Sequence, residues 1–209
     1  MLVFDAEIKK AILGRKDEAI PGIEYCDGWK DFIGMGISVI AVYDLQDDKY
    51  RVFLEDNLDE LKELIENRDY AIGFNNNSFD NKLLKAHGIE IPEEKSFDLL
   101  AAIKDETGTN RGLGLGAINK ANFTTTKNGD GAFAPILWQQ KQYGKVIDYC
   151  INDVKMTLNI LIRLLEVGFI ADPRNEDEII NVCIPNKMRE KYYSKLRTER
   201  YEEDLIYHD

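Results

Sequence analysis

GFNNNSFDNKLL, residues 73–84, follows the apolar residues Tyr70, Ala71 and Ile72 and ends in paired leucines. The apolar run predicts a short buried strand, and the spacing from Asp80 onward predicts a helix ending near Gly88, so the three asparagines mark a strand-to-helix crossing. Asp80 then stands at the C-terminal edge of a strand, where open α/β sheets gather ligands. Taken alone, it has a plainer reading: a carboxylate in a first helical turn complements the helix dipole.

Outward from this crossing the chain alternates strands and helices. MLVFDAEI (residues 1–8) reads as a buried strand, and FIGMGISVIAVYDL (32–45) with KYRVFLE (49–55) as a hairpin continuing the same sheet. Between them, residues 9–31 carry glycines, a proline and many charges and read as a surface excursion. NLDELKELIEN (57–67) places Leu58, Leu61, Leu64 and Ile65 on one stripe, with Asn57 as N-cap. KSFDLLAAI is a short strand or a helix start. Residues 105–135 are rich in glycine, asparagine and threonine, with a turn at NGDG and helical content near Leu113–Ala121. Apolar positions at three- and four-residue steps predict a long helix from Tyr143 to Val167. The fold class is therefore α/β, a mixed central sheet flanked by helices.

Three places along this pattern hold acids in chemically suggestive settings. Asp5 and Glu7 lie two apart on the first strand and so share a face, where a hard cation with oxygen ligands relieves their repulsion. A DxE at a solvated strand end is also common by chance. Tyr149 and Asp153, in YCIND, lie four apart and share one helical face. Their neighbours Val146, Cys150, Met156 and Thr157 turn that face inward, where an acid needs a partner.

The ordered set DxE, then G-F-N-x-x-x-F-D, then Y-C-x-x-D resembles the three motifs of the DEDD exonuclease superfamily in its tyrosine-containing subgroup, on a ribonuclease H-like fold. Within it, the three residues between Asn75 and Phe79 and the stretch YCINDVKMTLNIL are most similar to the proofreading 3′–5′ exonuclease domain of family B DNA polymerases. The resemblance covers residues 1 to about 166. It implies an exonuclease domain at 1–167 and a C-terminal extension at 168–209, a packed helix or a tail. It implies Asp5, Glu7, Asp80 and Asp153 as ligands of two Mg²⁺ or Mn²⁺ ions, Tyr149 as the residue positioning the attacking water, and Asn75 and Phe79 as substrate-adjacent. Ile8 departs from the threonine that commonly follows the DxE glutamate. The chain after the third motif is too short for a polymerase domain, so the expected activity is that of a stand-alone exonuclease acting on 3′ ends of single-stranded nucleic acid, DNA favoured over RNA.

The net charge of −11 argues against a broadly basic nucleic-acid surface. A single strand would then be held by stacking on Phe74 or Phe79 and by local cations, for which Lys104, Arg111, Lys120 and Lys127 are candidates. Trp29 and Trp138 read most simply as packing aromatics, and His87 as a capping or surface residue. GLGLG (112–116) lacks the lysine of a phosphate-binding loop. Cys26, Cys150 and Cys183 form no metal or disulfide pattern. No membrane span or signal peptide is read, and the expected location is cytoplasmic. Two rival functions carry different signatures: a silent nucleic-acid-binding or partner-docking module would tolerate loss of an acid, and a glycosidase with a carboxylate pair would ignore chelators.

Overall fold

The computed structural model describes residues 1–14, 18–123 and 131–206. Strand β1 (Leu2–Ile8) leads into two short strands, β2 (Ala11–Ile12) and β3 (Tyr25–Cys26), paired in parallel within the 9–31 excursion. A helical turn α1 (Phe32–Met35) precedes β4 (Ile37–Asp44) and β5 (Lys49–Phe53). Then follow α2 (Leu58–Glu66), β6 (Ala71–Gly73), α3 (Asp80–Ala86), β7 (Ser96–Asp98), α4 (Leu99–Thr107), α5 (Leu115–Asn122), α6 (Ala134–Gln139) and α7 (Tyr143–Val167). The chain closes with a hairpin, β8 (Phe169–Ala171) and β9 (Ile179–Asn181), and helix α8 (Asn186–Ile206).

The central sheet has the order β5-β4-β1-β6-β7. β1 runs antiparallel to β4, and β4 to β5, whereas β1, β6 and β7 are parallel. Both faces are covered, which is why β1 is apolar at nearly every position. Leu2, Phe4, Ala6 and Ile8 pack with Leu61, Ile65, Leu83 and Leu84 of α2 and α3. Val3 faces the other way, into the core built with Val146, Cys150, Val154 and Leu161 of α7. Asp5 and Glu7 share the parity of Val3 and therefore lie on the α7 side.

Two local expectations are corrected. Residues 32–45 are not one strand: Asp31 Oδ1 accepts from the Gly34 N–H at 2.9 Å and caps a single helical turn, which Gly36 at φ 62° turns into β4. An unbroken apolar run carries no period to separate the two, and only the aspartate cap and the glycines mark the break. Asn57 occupies the N-cap position of α2, but its Oδ1 accepts from Leu54 N–H at 2.7 Å instead of capping the helix. KSFDLLAAI is both of its readings, β7 followed by α4. The residues of the NGDG turn before Gly131 lie outside the described residues, as does Lys127.

After Gly168, whose left-handed φ of 81° ends α7, Ile170, Ile180, Val182, Ile184 and Met188 all enter the α7-side core. α8 is tied to the body where the Arg189 guanidinium donates to the Leu165 carbonyl at 2.5 Å and Lys191 pairs with Asp69. Among the described residues no helix is long and apolar enough to cross a membrane.

Candidate active site

The register of the sheet creates the site. β1 pairs with β6 only at Leu2–Ala71 and Val3–Ile72, and β6 ends at Gly73. From Asp5 onward β1 runs past its parallel neighbour, so backbone donors on that side lack a strand partner. Asp80 supplies one: its Oδ1 accepts from the Ala6 N–H at 3.1 Å, in the position a strand carbonyl would fill. The carboxylate is 6% exposed and sits on the stretch of β1 that carries Asp5 and Glu7.

The loop before Asp80 is built to place it. Asn75 adopts a left-handed φ of 67°, and Asn76 is fully buried, its Nδ2 donating to Asn81 Oδ1 and Ser96 Oγ at 3.2 Å. A Cβ on Gly73 would lie 2.7 Å from the Asn76 Cβ, so the glycine that opens the motif permits this packing. Asp98, 6% exposed, organises the loop from across the β6–β7 edge: Oδ1 accepts from Asn75 N–H at 2.9 Å and from Ala101 N–H at 3.1 Å, and Oδ2 from Asn77 N–H at 3.1 Å. Asp98 escaped the sequence reading. Its one local signal was an aspartate directly before the apolar LLAAI run, an N-cap pattern. Asp98→Ala removes an acceptor from three backbone donors and is expected to cost about 2 kcal/mol or more. A melting temperature equal to that of the parent would show that the loop holds its shape without Asp98.

α7 brings the remaining groups. Cys150, buried against β1, donates its S–H to the Asp5 carbonyl at 3.3 Å and to Asp5 Oδ2 at 3.5 Å. Burial pushes the Cys150 thiol well up, and the charges of Asp5 and Glu7 add to this, so it stays a protonated donor. One turn on, Asp153 is 5% exposed, and the side chain of half-buried Tyr149 hydrogen-bonds it. The fold thus brings Asp5, Glu7, Asp80, Asp153 and Tyr149 into one interacting cluster beyond the end of β6.

The electrostatics show how close these groups are. Burial raises the Asp5 carboxyl well above its usual range, and Asp80, Glu7 and Asp153 each push it further in the same direction. Asp80 is pushed up to about 7, first by burial and then by Asp98 and Asp153, against the opposing pull of backbone N–H donors, including that of Ala6. Tyr149 is held above the ordinary phenol range by burial, then by Asp153 and Glu7. An all-oxygen set of four acids that repel one another fits hard divalent cations, which would relieve that repulsion. Among the described residues no three such side chains already converge at ligand distance on one point.

The other candidates divide. Phe79 is the N-cap residue of α3, directly before Asp80, and its half-buried side chain packs against the core on the α2 and α3 side of the sheet, while Asn75 is exposed on the same loop. Phe74 packs against the α7-side core. The cations lie elsewhere. Lys104 is in the last turn of α4, the end opposite the Asp98 cap that organises the loop before Asp80. Lys120 lines a groove with Ala171, Asp172 and Glu176, and Arg111 adjoins Gly112, which faces Arg174. His87 follows α3 and sits 3.2 Å from the Phe32 carbonyl.

Comparison with known proteins agrees with this architecture. The structure is similar to the family B DNA polymerase from the hyperthermophilic archaeon Pyrobaculum calidifontis, with a TM-score of 0.56 and 18% identity. That similarity covers 78% of this chain but 24% of the polymerase chain, and it is a likeness of fold. No curated protein matches the sequence. A family model described as RNase_H superfamily matches residues 33–165, a range that includes Asp80, Tyr149 and Asp153 and begins after the strand bearing Asp5 and Glu7. That match takes in more than half of the 209 residues, on a mixed five-stranded sheet with helices on both faces, and the chain belongs to the RNase H superfamily.

Proposed function

We propose that this protein is a metal-dependent 3′-to-5′ exonuclease that removes nucleoside 5′-monophosphates from single-stranded ends, with DNA as its preferred substrate. The observation that carries the reading is the Asp80–Ala6 hydrogen bond, which sets a buried acid from one motif against the strand bearing two acids of another. Asp153 on α7 completes a set of four. The preference for DNA rests on the likeness of fold to a DNA polymerase.

Asp5, Glu7, Asp80 and Asp153 would hold two Mg²⁺ or Mn²⁺ ions, which supply Lewis acidity toward a water nucleophile and the departing 3′ oxygen. The reaction joins the water oxygen to phosphorus and breaks the bond from phosphorus to the 3′ oxygen, leaving a new 3′-hydroxyl on the shortened strand. Ala6 and Cys150 hold Asp80 and Asp5 in place through the hydrogen bonds described above. Tyr149 keeps its proton at any working pH and is a donor, not a base. It orients the nucleophile from its position beside Asp153.

Tyr149→Phe keeps the ring and removes the donor. Its turnover at saturating oligonucleotide is expected to fall about 10- to 100-fold, with metal affinity little changed. Unchanged single-turnover cleavage would remove Tyr149 from the mechanism.

The activity itself is tested by a time course on 5′-labelled single-stranded DNA and RNA with Mg²⁺, Mn²⁺ or chelator. A metal-dependent ladder shortening from the 3′ end is expected, faster on DNA. Folded protein that cleaves neither strand with either metal would overturn the reading and leave a binding module on a nuclease fold.

A further inference from the structure

Among the described residues Trp29 is the most exposed large apolar side chain, at 69%. Its ring meets Phe79 edge-on, with centroids 6.3 Å apart and planes at 71°. Phe79 in turn meets Phe32 at 5.9 Å and directly precedes Asp80. An aromatic row therefore runs from the buried side of α1, through the residue next to a candidate metal ligand, out to an indole in solvent.

The segment holding Trp29 is a built turn. Gly28, immediately before it, takes a left-handed φ of 94°, and its carbonyl accepts from Asp31 N–H at 3.0 Å and from the Cys26 thiol at 3.7 Å. Asp31 closes the turn by accepting from Asp27 N–H and Gly34 N–H, both at 2.9 Å. Gln139 of α6 anchors the excursion just before it, through Glu24 N–H at 2.7 Å and the Lys9 carbonyl at 3.0 Å. An indole held in water by this many backbone contacts gains little for the fold, because most of its surface stays wet.

Charge narrows what it can serve. The chain carries −11, the candidate site is a cluster of acids, Lys104 lies in the last turn of α4, and Lys120 lines a groove with Ala171, Asp172 and Glu176. A net charge of this sign favours affinity from contacts that do not depend on phosphate neutralisation. Base stacking on aromatic rings supplies such affinity without sequence preference.

We infer that Trp29 and Phe79 together form a base-stacking platform for the nucleotides beside the scissile bond, with Trp29 setting affinity for single-stranded substrate. The inference rests on the exonuclease reading, and two readouts separate their fates. With chelator present, a single-stranded oligonucleotide is expected to quench tryptophan fluorescence in the parent protein. The quench is lost in Trp29→Phe, where Trp138 is the remaining tryptophan. With metal present, Trp29→Ala raises KM about 5- to 100-fold with kcat and melting temperature little changed, and Trp29→Phe recovers most of the loss. A parent enzyme that degrades the strand, combined with no quench and an unaltered KM in Trp29→Ala, would overturn the platform and leave the exonuclease standing. Quenching by the oligonucleotide without degradation would support the platform and overturn the exonuclease. A double strand that quenches as strongly as a single strand would also count against stacking.

Discussion

Asp80→Asn is expected to abolish hydrolysis while making the metal-free protein more stable near pH 8. The substitution keeps an oxygen to accept from Ala6 N–H, so the contact that seats α3 against β1 survives. It removes the negative charge proposed to hold a cation. Loss of an outer-shell partner of a metal site costs roughly 10- to 100-fold, and loss of a direct ligand should exceed that. The stability gain follows from burial: at pH 8 the parent must ionise a carboxyl whose pKa is about 7 in the fold, and the amide need not. A displacement of about three pKa units corresponds to about 4 kcal/mol, on the order of 10 °C in melting temperature for a chain of this size. A variant that stays active, or one that melts below its parent at pH 8, would mean that Asp80 serves the fold and not the chemistry.

The second large effect is a pH dependence that metal removes. Asp80 has a folded pKa of about 7 against an ordinary value of 3.8, and Asp5 is raised as well. Between those limits the folded chain keeps a proton that the unfolded chain has released. Stability therefore falls as pH rises through this window, is least perturbed below about pH 4, and has lost the full contribution above about pH 7. Without divalent cations, the melting temperature is expected to drop from pH 5 to pH 8. Millimolar Mg²⁺ or Mn²⁺ should restore it at pH 8 and do little at pH 5, where protons compete for the same oxygens. In Asp80→Asn both the drop and the rescue should shrink. A melting temperature indifferent to divalent cations at both pH values would argue against a metal centre at these acids.

Asp80 shows where sequence reading and tertiary structure part company. Locally, a carboxylate in a first helical turn is explained by the dipole alone, and nothing in residues 73–84 says which strand it will meet. The answer lies in a mismatch of strand lengths. β6 stops at Gly73 while β1 continues through Ile8, and the unpaired Ala6 N–H needs an acceptor. Asp98 was less legible still, because two of the backbone amides it accepts from lie 21 and 23 residues earlier and across a strand edge. Trp29 read as a packing aromatic, since composition cannot say which side of an indole faces water. Lys104 and Lys120 were plausible phosphate ligands until the fold put Lys104 in the last turn of α4 and Lys120 in a groove with Ala171, Asp172 and Glu176.

What the sequence determined by itself is what depends on short-range periodicity and on motif order. The long helix 143–167, the parity that puts Asp5 and Glu7 on one face, and the four-residue step from Tyr149 to Asp153 all follow from strand and helix repeats, 2.0 and 3.6 residues, acting on neighbours. Tertiary structure alone decided which unpaired donors remained at the sheet edge, which acids desolvate and repel one another, and which aromatic ring stayed in solvent. Those outcomes depend on contacts between residues tens of positions apart, such as Ala6 with Asp80 and Asp5 with Cys150, and no local pattern encodes them.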